Sequence, residues 1–170
     1  RKRILLLGIN PGRFGAGATG INFTAPRQLA LHCGIEHSLG DQSELSAEFI
    51  YEMIRACGGP GVFFHSHFLG AVSPFGYVSK GVNCNYYDSS VLLKSVEPFI
   101  VQSMEKLLRC NVHRSVCLCI GEGKNLEWLE KWNEAHGWFP RVISLAHPRY
   151  IMQYKWRQKE RYIGAYLEAL

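Results

Sequence analysis

The sequence has no apolar run that approaches the roughly 20 residues needed to cross a bilayer. Arg1 to Arg3 lead directly into an apolar segment that is predicted to form a strand, so we do not expect this stretch to be a secretory signal. We therefore expect a soluble protein with no membrane partner. The abrupt start on an apolar segment also leads us to expect that the native polypeptide extends upstream of Arg1.

The cysteine spacing of a zinc or iron–sulfur site is absent as well. None of the six cysteines forms a C-x-x-C pair. Cys117 and Cys119 lie in one apolar run, where a strand would direct both thiols to one face and bury at least one of them. The sequence thus predicts no metal, and such scattered thiols indicate a reduced, intracellular compartment.

The chain has only a small excess of positive charge. There are 19 Lys and Arg against 14 Asp and Glu, a formal net charge of +5, which is compatible with a polyanionic partner but does not identify one. A length of 170 residues with 47% hydrophobic residues is sufficient for one packed core. We therefore predict a single domain over residues 1–170.

Four apolar runs alternate with segments of helical periodicity, which is typical of parallel strands joined by crossover helices. We therefore predict an α/β fold, in which the segments that follow the four strands converge on one edge of the sheet. The predicted strands are 3–8, 62–72, 115–120 and 142–146, and the predicted helices are 44–57, 90–110, 125–136 and 153–170.

The first predicted strand ends in a glycine-rich segment, GINPGRFGAGATGINF, at residues 8–23. Its glycines let the backbone approach a flat or anionic ligand closely. The segment also contains a literal GxGxxG at 15–20, which raises the alternative of a dinucleotide cofactor. That alternative is disfavoured because the strand ends about seven residues earlier and Pro26 follows soon after.

The last predicted strand runs into His147, Pro148 and Arg149, and Tyr150, Ile151 and Met152 follow. Aromatic and apolar side chains beside basic ones are unusual for a plain surface loop. Such a combination suits a wedge that is pushed between stacked bases.

These segments together resemble the SMUG-type, single-strand-selective monofunctional uracil-DNA glycosylases. The segment GINPGRFGAGATGINF resembles the first family motif. HPR, with its aromatic and basic continuation, resembles the second. The resemblance extends over most of the chain through VFFH at 62–65, Pro74 and GVN at 81–83. The tract SPFGYVSKGVNCNYYD and the short HPRYIMQYK segment are closer to the second, bacterial subgroup.

The resemblance implies a three-layer sandwich around a central four-stranded, mostly parallel sheet, the uracil-DNA glycosylase-like fold. It implies an enzyme that hydrolyses the N-glycosidic bond of uracil in single- or double-stranded DNA and so initiates base excision repair. No cofactor is implied, and we expect a monomer in the cytoplasm or nucleoid of a bacterium. No lysine lies within either motif, which argues against a lyase that forms a Schiff base.

Site residues follow by position in the two motifs. Asn10 corresponds to the residue that holds the attacking water, His147 to the donor to uracil O2, and Phe23 to the aromatic that stacks on the flipped base. An amide is too weakly basic to deprotonate water, so the reaction must depend on departure of the base. The other implied substrate contacts are Ile9, Gly12, Ala16, Gly17, Ser73 and Asn83, and the implied DNA contacts are Arg149, Tyr150, Ile151, Met152 and Lys155.

The sequence departs from the family at Ala71, which occupies the position of an asparagine that reads uracil N3 and O4. A site without this reader is expected to reject wrong bases poorly. We therefore predict a relaxed base range, with xanthine and hypoxanthine as candidates. A non-catalytic nucleic-acid-binding domain remains the second alternative function. The substitutes considered for the missing reader are Ser66, His67, Ser73, Asn83 and Asn85.

Overall fold

The computed structural model describes residues 2–170, and its centre is a four-stranded parallel sheet. The strands lie in the order β2-β1-β5-β6. A separate antiparallel hairpin is formed by β3 and β4. The strands are β1 (Arg3–Gly8), β2 (His67–Ala71), β3 (Tyr77–Ser79), β4 (Val82–Cys84), β5 (Val112–Ile120) and β6 (Val142–Leu145).

Helices cover both faces of the sheet, which confirms the predicted α/β sandwich. Alternate residues of β1 enter different cores: Leu6 packs with α3, α4, α7 and α8, whereas Leu5 and Leu7 pack with α5 and α6. Cys117 and Cys119 of β5 are both buried on the second face, as predicted. The helices are α1 (Ala16–Thr19), α2 (Pro26–Cys33), α3 (Leu45–Ala56), α4 (Pro60–Ser66), α5 (Ser90–Leu108), α6 (Lys124–His136), α7 (Pro148–Tyr154) and α8 (Lys159–Ala169).

Two boundaries predicted from the sequence are wrong. The run 62–72 is not one strand, because its first part belongs to α4 and only His67–Ala71 forms β2. Pro60 occupies the first turn of α4, where its fixed φ favours a helix, and a short apolar run does not by itself distinguish helix from strand.

The predicted terminal helix 153–170 is also divided. Pro148 starts α7 five residues earlier than predicted, and a 3-10 turn at Trp156–Gln158 separates α7 from α8. Within residues 2–170, no helix combines the length and the apolar character that a membrane span requires.

Candidate active site

A cavity of about 620 Å³ opens where the carboxyl ends of the parallel strands meet. The segments that follow β1 and β6 reach it, as does the last residue of β2, Ala71, and the hairpin and the start of α3 complete its wall. This is the edge at which open α/β sheets bind ligands. Asn10 and Phe23 of the glycine-rich segment line this cavity together with His147, which is far from them in the sequence.

Asn10 is fixed by backbone groups of the segment after β4. Its Oδ1 accepts a hydrogen bond from the Tyr86 amide at 3.1 Å, and its Nδ2 donates to the Cys84 carbonyl at 3.2 Å. An amide oxygen has two lone pairs, so Oδ1 retains the capacity to accept one further hydrogen bond. The side chain is therefore preorganised to orient a water molecule.

His147 lies between β6 and α7, where it is the N-cap of α7. Its Nδ1 accepts a hydrogen bond from the Arg149 amide at 3.2 Å, which assigns the proton of the neutral ring to Nε2. Burial, assisted by the positive charge of Arg149, lowers the pKa of His147 to about 4. The ring thus presents a neutral Nε2–H donor at the cavity wall.

The low pKa of His147 predicts that its imidazole stays neutral across the physiological range. Its pKa in the unfolded chain is about 6.5, so this group contributes stability above that pH and loses it as the pH falls toward 4. We expect the His147 ring resonances to titrate near pH 4 in an NMR experiment, with the signal assigned by its loss in His147→Gln. A midpoint at or above 6.5 would contradict this electrostatic assignment.

Phe23 is held in a strained backbone conformation beside His147. Its φ of +56° is uncommon for an aromatic residue, and its ring centroid lies 6.4 Å from that of His147. The next residue is anchored on both sides: the Thr19 hydroxyl donates to the Thr24 carbonyl at 2.6 Å, and the Thr24 and Tyr51 hydroxyls are 3.0 Å apart. These buried contacts hold the half-buried Phe23 ring at the cavity.

The structure separates the predicted substrate contacts into two groups. Ile9, Gly12, Ala16 and Asn83 line the cavity. Gly17 lies outside the cavity lining, and its amide already donates to the Gly12 carbonyl at 2.7 Å, so the structure contradicts its predicted contact with the substrate.

Ser73 is also misplaced as a base contact. It is fully buried outside the cavity, and its hydroxyl bonds to the Tyr77 hydroxyl at 2.7 Å. Ser66 and His67 lie at the opposite end of β2, where the His67 ring contacts the Leu170 carbonyl. Of the five substitutes considered for the missing reader, only Asn83 and Asn85 reach the cavity.

The predicted wedge, the segment that follows His147, is a helix rather than a loop. This changes which of its side chains are exposed at the cavity. Arg149 and Tyr150 are exposed at the cavity. Ile151 is fully buried in the core, so the prediction that it enters DNA is wrong. Met152 is half-buried, packs against the same core and lies outside the cavity lining. Helical spacing instead brings Gln153 and Tyr154 to the cavity, and Lys155 lies outside its lining.

Three further residues line the cavity but carry no role assigned from the sequence. Asn22 lies inside the first motif, directly before Phe23. Glu44 and Ser46 lie at the start of α3, outside both motifs, so only the fold brings these two to the site. Within residues 2–170, no group of three or more His, Cys, Asp or Glu side chains is arranged as metal ligands.

Comparison with known proteins agrees with this geometry. The family model described as the uracil DNA glycosylase superfamily matches residues 1–170. A crystal structure of SMUG2 from Pedobacter heparinus is similar, with a TM-score of 0.94 and 43% sequence identity over 99% of this chain and 74% of that chain. No curated protein sequence matches.

Proposed function

The chain belongs to the uracil-DNA glycosylase superfamily, and we propose that it removes the base through the cavity that Asn10, Phe23 and His147 line. It is a uracil-DNA glycosylase and acts on DNA. The observation that carries the assignment of roles is that two distant segments, the glycine-rich segment with Asn10 and Phe23 and the segment with His147, converge on one cavity. No feature of the site favours the dinucleotide alternative, since α1, within the GxGxxG segment, is only four residues long.

The flipped base would stack on Phe23. A target base cannot be attacked inside the duplex, so its nucleotide must rotate out at a cost of a few kcal/mol. Stacking on an aromatic ring returns about 1–3 kcal/mol per base. Tyr150 and Arg149, exposed at the cavity, are the side chains placed to fill the gap in the DNA stack.

Bond cleavage would then be driven by departure of the base. The C1′–N bond breaks with its electron pair on the base, and the Nε2–H of His147 donates to the oxygen on which negative charge accumulates. Neutral His147 suits this role, because its Nε2–H donates a hydrogen bond without the ring first having to gain a proton. The backbone amides of Ile9 and Ala16, which also line the cavity, are further candidates to donate hydrogen bonds to the departing base.

Water would be captured late, at a sugar that already carries positive charge. Asn10 Oδ1 accepts one O–H of this water and so directs its oxygen at C1′. The second proton leaves to solvent after the new C–O bond forms. No covalent enzyme intermediate is needed, and the product is an intact abasic site.

The direct test is cleavage, after alkali, of end-labelled oligonucleotides that carry uracil, xanthine, hypoxanthine or an unmodified base. Single and double strands are compared in the presence of a chelator. We expect cleavage at uracil without added metal or nucleotide cofactor. DNA binding without any base release would support a non-catalytic binder and overturn the proposal.

We also propose that the base range is relaxed and that an asparagine other than the family reader contacts the base. Ala71 leaves a methyl group at the cavity, while Asn22, Asn83 and Asn85 all line it. In the cleavage test we therefore expect release of xanthine or hypoxanthine in addition to uracil. Activity confined to uracil would contradict the relaxed range.

Single Asn→Ala variants at positions 22, 83 and 85 identify the reader. Loss of one hydrogen bond of about 1.4 kcal/mol changes a rate constant about tenfold, so we expect one variant to lower uracil excision by that factor relative to xanthine. The other two variants serve as matched controls. If the ratio is the same in all three, backbone groups rather than these side chains read the base.

The oligomeric state and the location of action are part of the same proposal. Every group assigned a role above comes from a single chain, so we propose that the protein is a monomer. We also propose that it works on chromosomal DNA in a bacterial cytoplasm. Light scattering of the protein alone and with an oligonucleotide tests the monomer. A dimer that dissociates together with loss of activity would contradict it.

A further inference from the structure

Glu44 is an acidic side chain in a cavity that must accept a polyanion, and it does not cap its own helix. It stands at the N-cap of α3, yet its carboxylate makes no cap hydrogen bond there. Instead, Oε1 accepts a hydrogen bond from the Phe14 amide at 3.1 Å, 30 residues away in the sequence. The side chain thus ties the glycine-rich segment to the start of α3.

The glycine-rich segment is shaped around this carboxylate. A Cβ atom on Gly12 would lie 2.7 Å from Oε1 and 2.9 Å from Oε2 of Glu44, and one on Gly15 would approach Oε2 even more closely. Neither position therefore accepts a side chain while Glu44 stays in place. The absence of side chains at these two glycines thus lets the Glu44 carboxylate approach the backbone of the segment closely.

The same segment is held from the opposite side by the hairpin. The Arg13 guanidinium donates a hydrogen bond to the Gly81 carbonyl at the hairpin turn, and it lies 4.3 Å from the centroid of the Phe14 ring. The residues between Asn10 and Ala16 are therefore attached to α3 through Glu44 and to the hairpin through Arg13. Removal of the Glu44 side chain leaves the hairpin attachment and the hydrogen bonds within the segment, but it removes this side-chain link to α3.

Helix α3 also supports the other half of the site. It packs against α7, the helix whose N-cap is His147, and its side chains Phe49, Ile50, Met53 and Ile54 are fully buried. One rigid helix therefore locates both the glycine-rich segment, through Glu44, and His147, through α7. The distance between His147 and the backbone amides of the glycine-rich segment therefore depends on this helix.

We propose that Glu44 is a positioning residue that holds the 12–16 segment in register with His147, so that it accelerates base release rather than DNA binding. This inference rests on the proposed function. A hydrogen bond to a carboxylate is about twice as strong as one between neutral groups, and the N-terminus of α3 favours the negative charge. Glycine-rich backbone has little stiffness of its own, so this external attachment sets its position.

The test compares Glu44→Ala and Glu44→Gln with the wild-type protein, and Glu48→Ala serves as the matched control. Glu48 lies one turn further along α3 and outside the cavity lining. Misplacement of reacting groups by about 1 Å can lower a rate about 100-fold, so we expect single-turnover excision to fall about tenfold or more in Glu44→Ala. The dissociation constant for uracil-containing DNA should change by less than about threefold.

Glu44→Gln separates positioning from charge. Its amide oxygen can still accept from the Phe14 amide, so we expect it to restore excision to within about threefold of the wild type. Amide hydrogen exchange of residues 12–16 should accelerate in Glu44→Ala and remain near wild type in Glu44→Gln and Glu48→Ala.

The alternative outcomes distinguish failure of the positioning role of Glu44 from failure of the proposed function. Unchanged excision in Glu44→Ala, or equal losses in Glu44→Ala and Glu44→Gln, would refute the positioning role. Excision that falls together with DNA binding and thermal stability in Glu44→Ala would also refute it in favour of a general structural role. A wild-type protein that releases no base would refute the proposed function itself, before the variants are compared.

Discussion

Replacement of Asn10 by alanine should lower base excision by about 100-fold or more while DNA binding remains nearly unchanged. The water would lose the oxygen that directs it at C1′, whereas the stacking platform and the donors to the departing base stay in place. Single-turnover excision of uracil and the dissociation constant for the same oligonucleotide, measured side by side, check this. Unchanged excision would remove Asn10 from the mechanism.

A structural effect of this replacement must be separated from the chemical one, because Asn10 also satisfies two backbone groups. Its loss leaves the Tyr86 amide and the Cys84 carbonyl without this partner. Asn133 provides the matched control: it bonds both the amide and the carbonyl of Phe139 at 2.8 Å and lies outside the cavity lining. We expect Asn133→Ala to lower the free energy of unfolding by about 1 kcal/mol per lost bond without a comparable loss of excision.

The sheet was predictable because its strands carry strong local patterns. The β1 run is apolar on both faces, and the order of strands and helices admits few topologies. Boundaries were less predictable where an apolar run changes conformation without a change in composition. The segment 60–66 became helical because Pro60 and the buried Phe63 suit the first turns of a helix, and neither feature excludes a strand from sequence alone.

The site was predictable to the extent that the two motifs define it. Asn10, Phe23 and His147 were named from the motifs, and the fold brings them together. The motif does not show that the segment after Pro148 is helical, and it therefore places Ile151 among the DNA contacts. Helical spacing instead directs this side chain into the core. Glu44 was missed because it precedes a helix and only the tertiary structure brings it to Phe14.

Gly8→Ala should impair the enzyme by displacing Phe23. Gly8 ends β1, and a Cβ atom there would lie 2.7 Å from Cε2 of the Phe23 ring and closer still to Cζ. The ring must therefore move away from the position in which a flipped base would stack on it. Loss of stacking worth about 1–3 kcal/mol predicts a decrease in kcat/KM of roughly tenfold to 100-fold, together with about 1–3 kcal/mol lower stability from overpacking.

A double-mutant comparison tests whether the effect passes through the ring. Phe23→Ala alone should lower kcat/KM by a similar factor, but the combination Gly8→Ala/Phe23→Ala should be no worse than Phe23→Ala, since no ring remains to collide with the new methyl group. The combination should also recover the stability that overpacking costs in Gly8→Ala. If the two losses in kcat/KM instead multiply, the methyl group acts on another part of the site, and Phe23 is not the element that Gly8 positions.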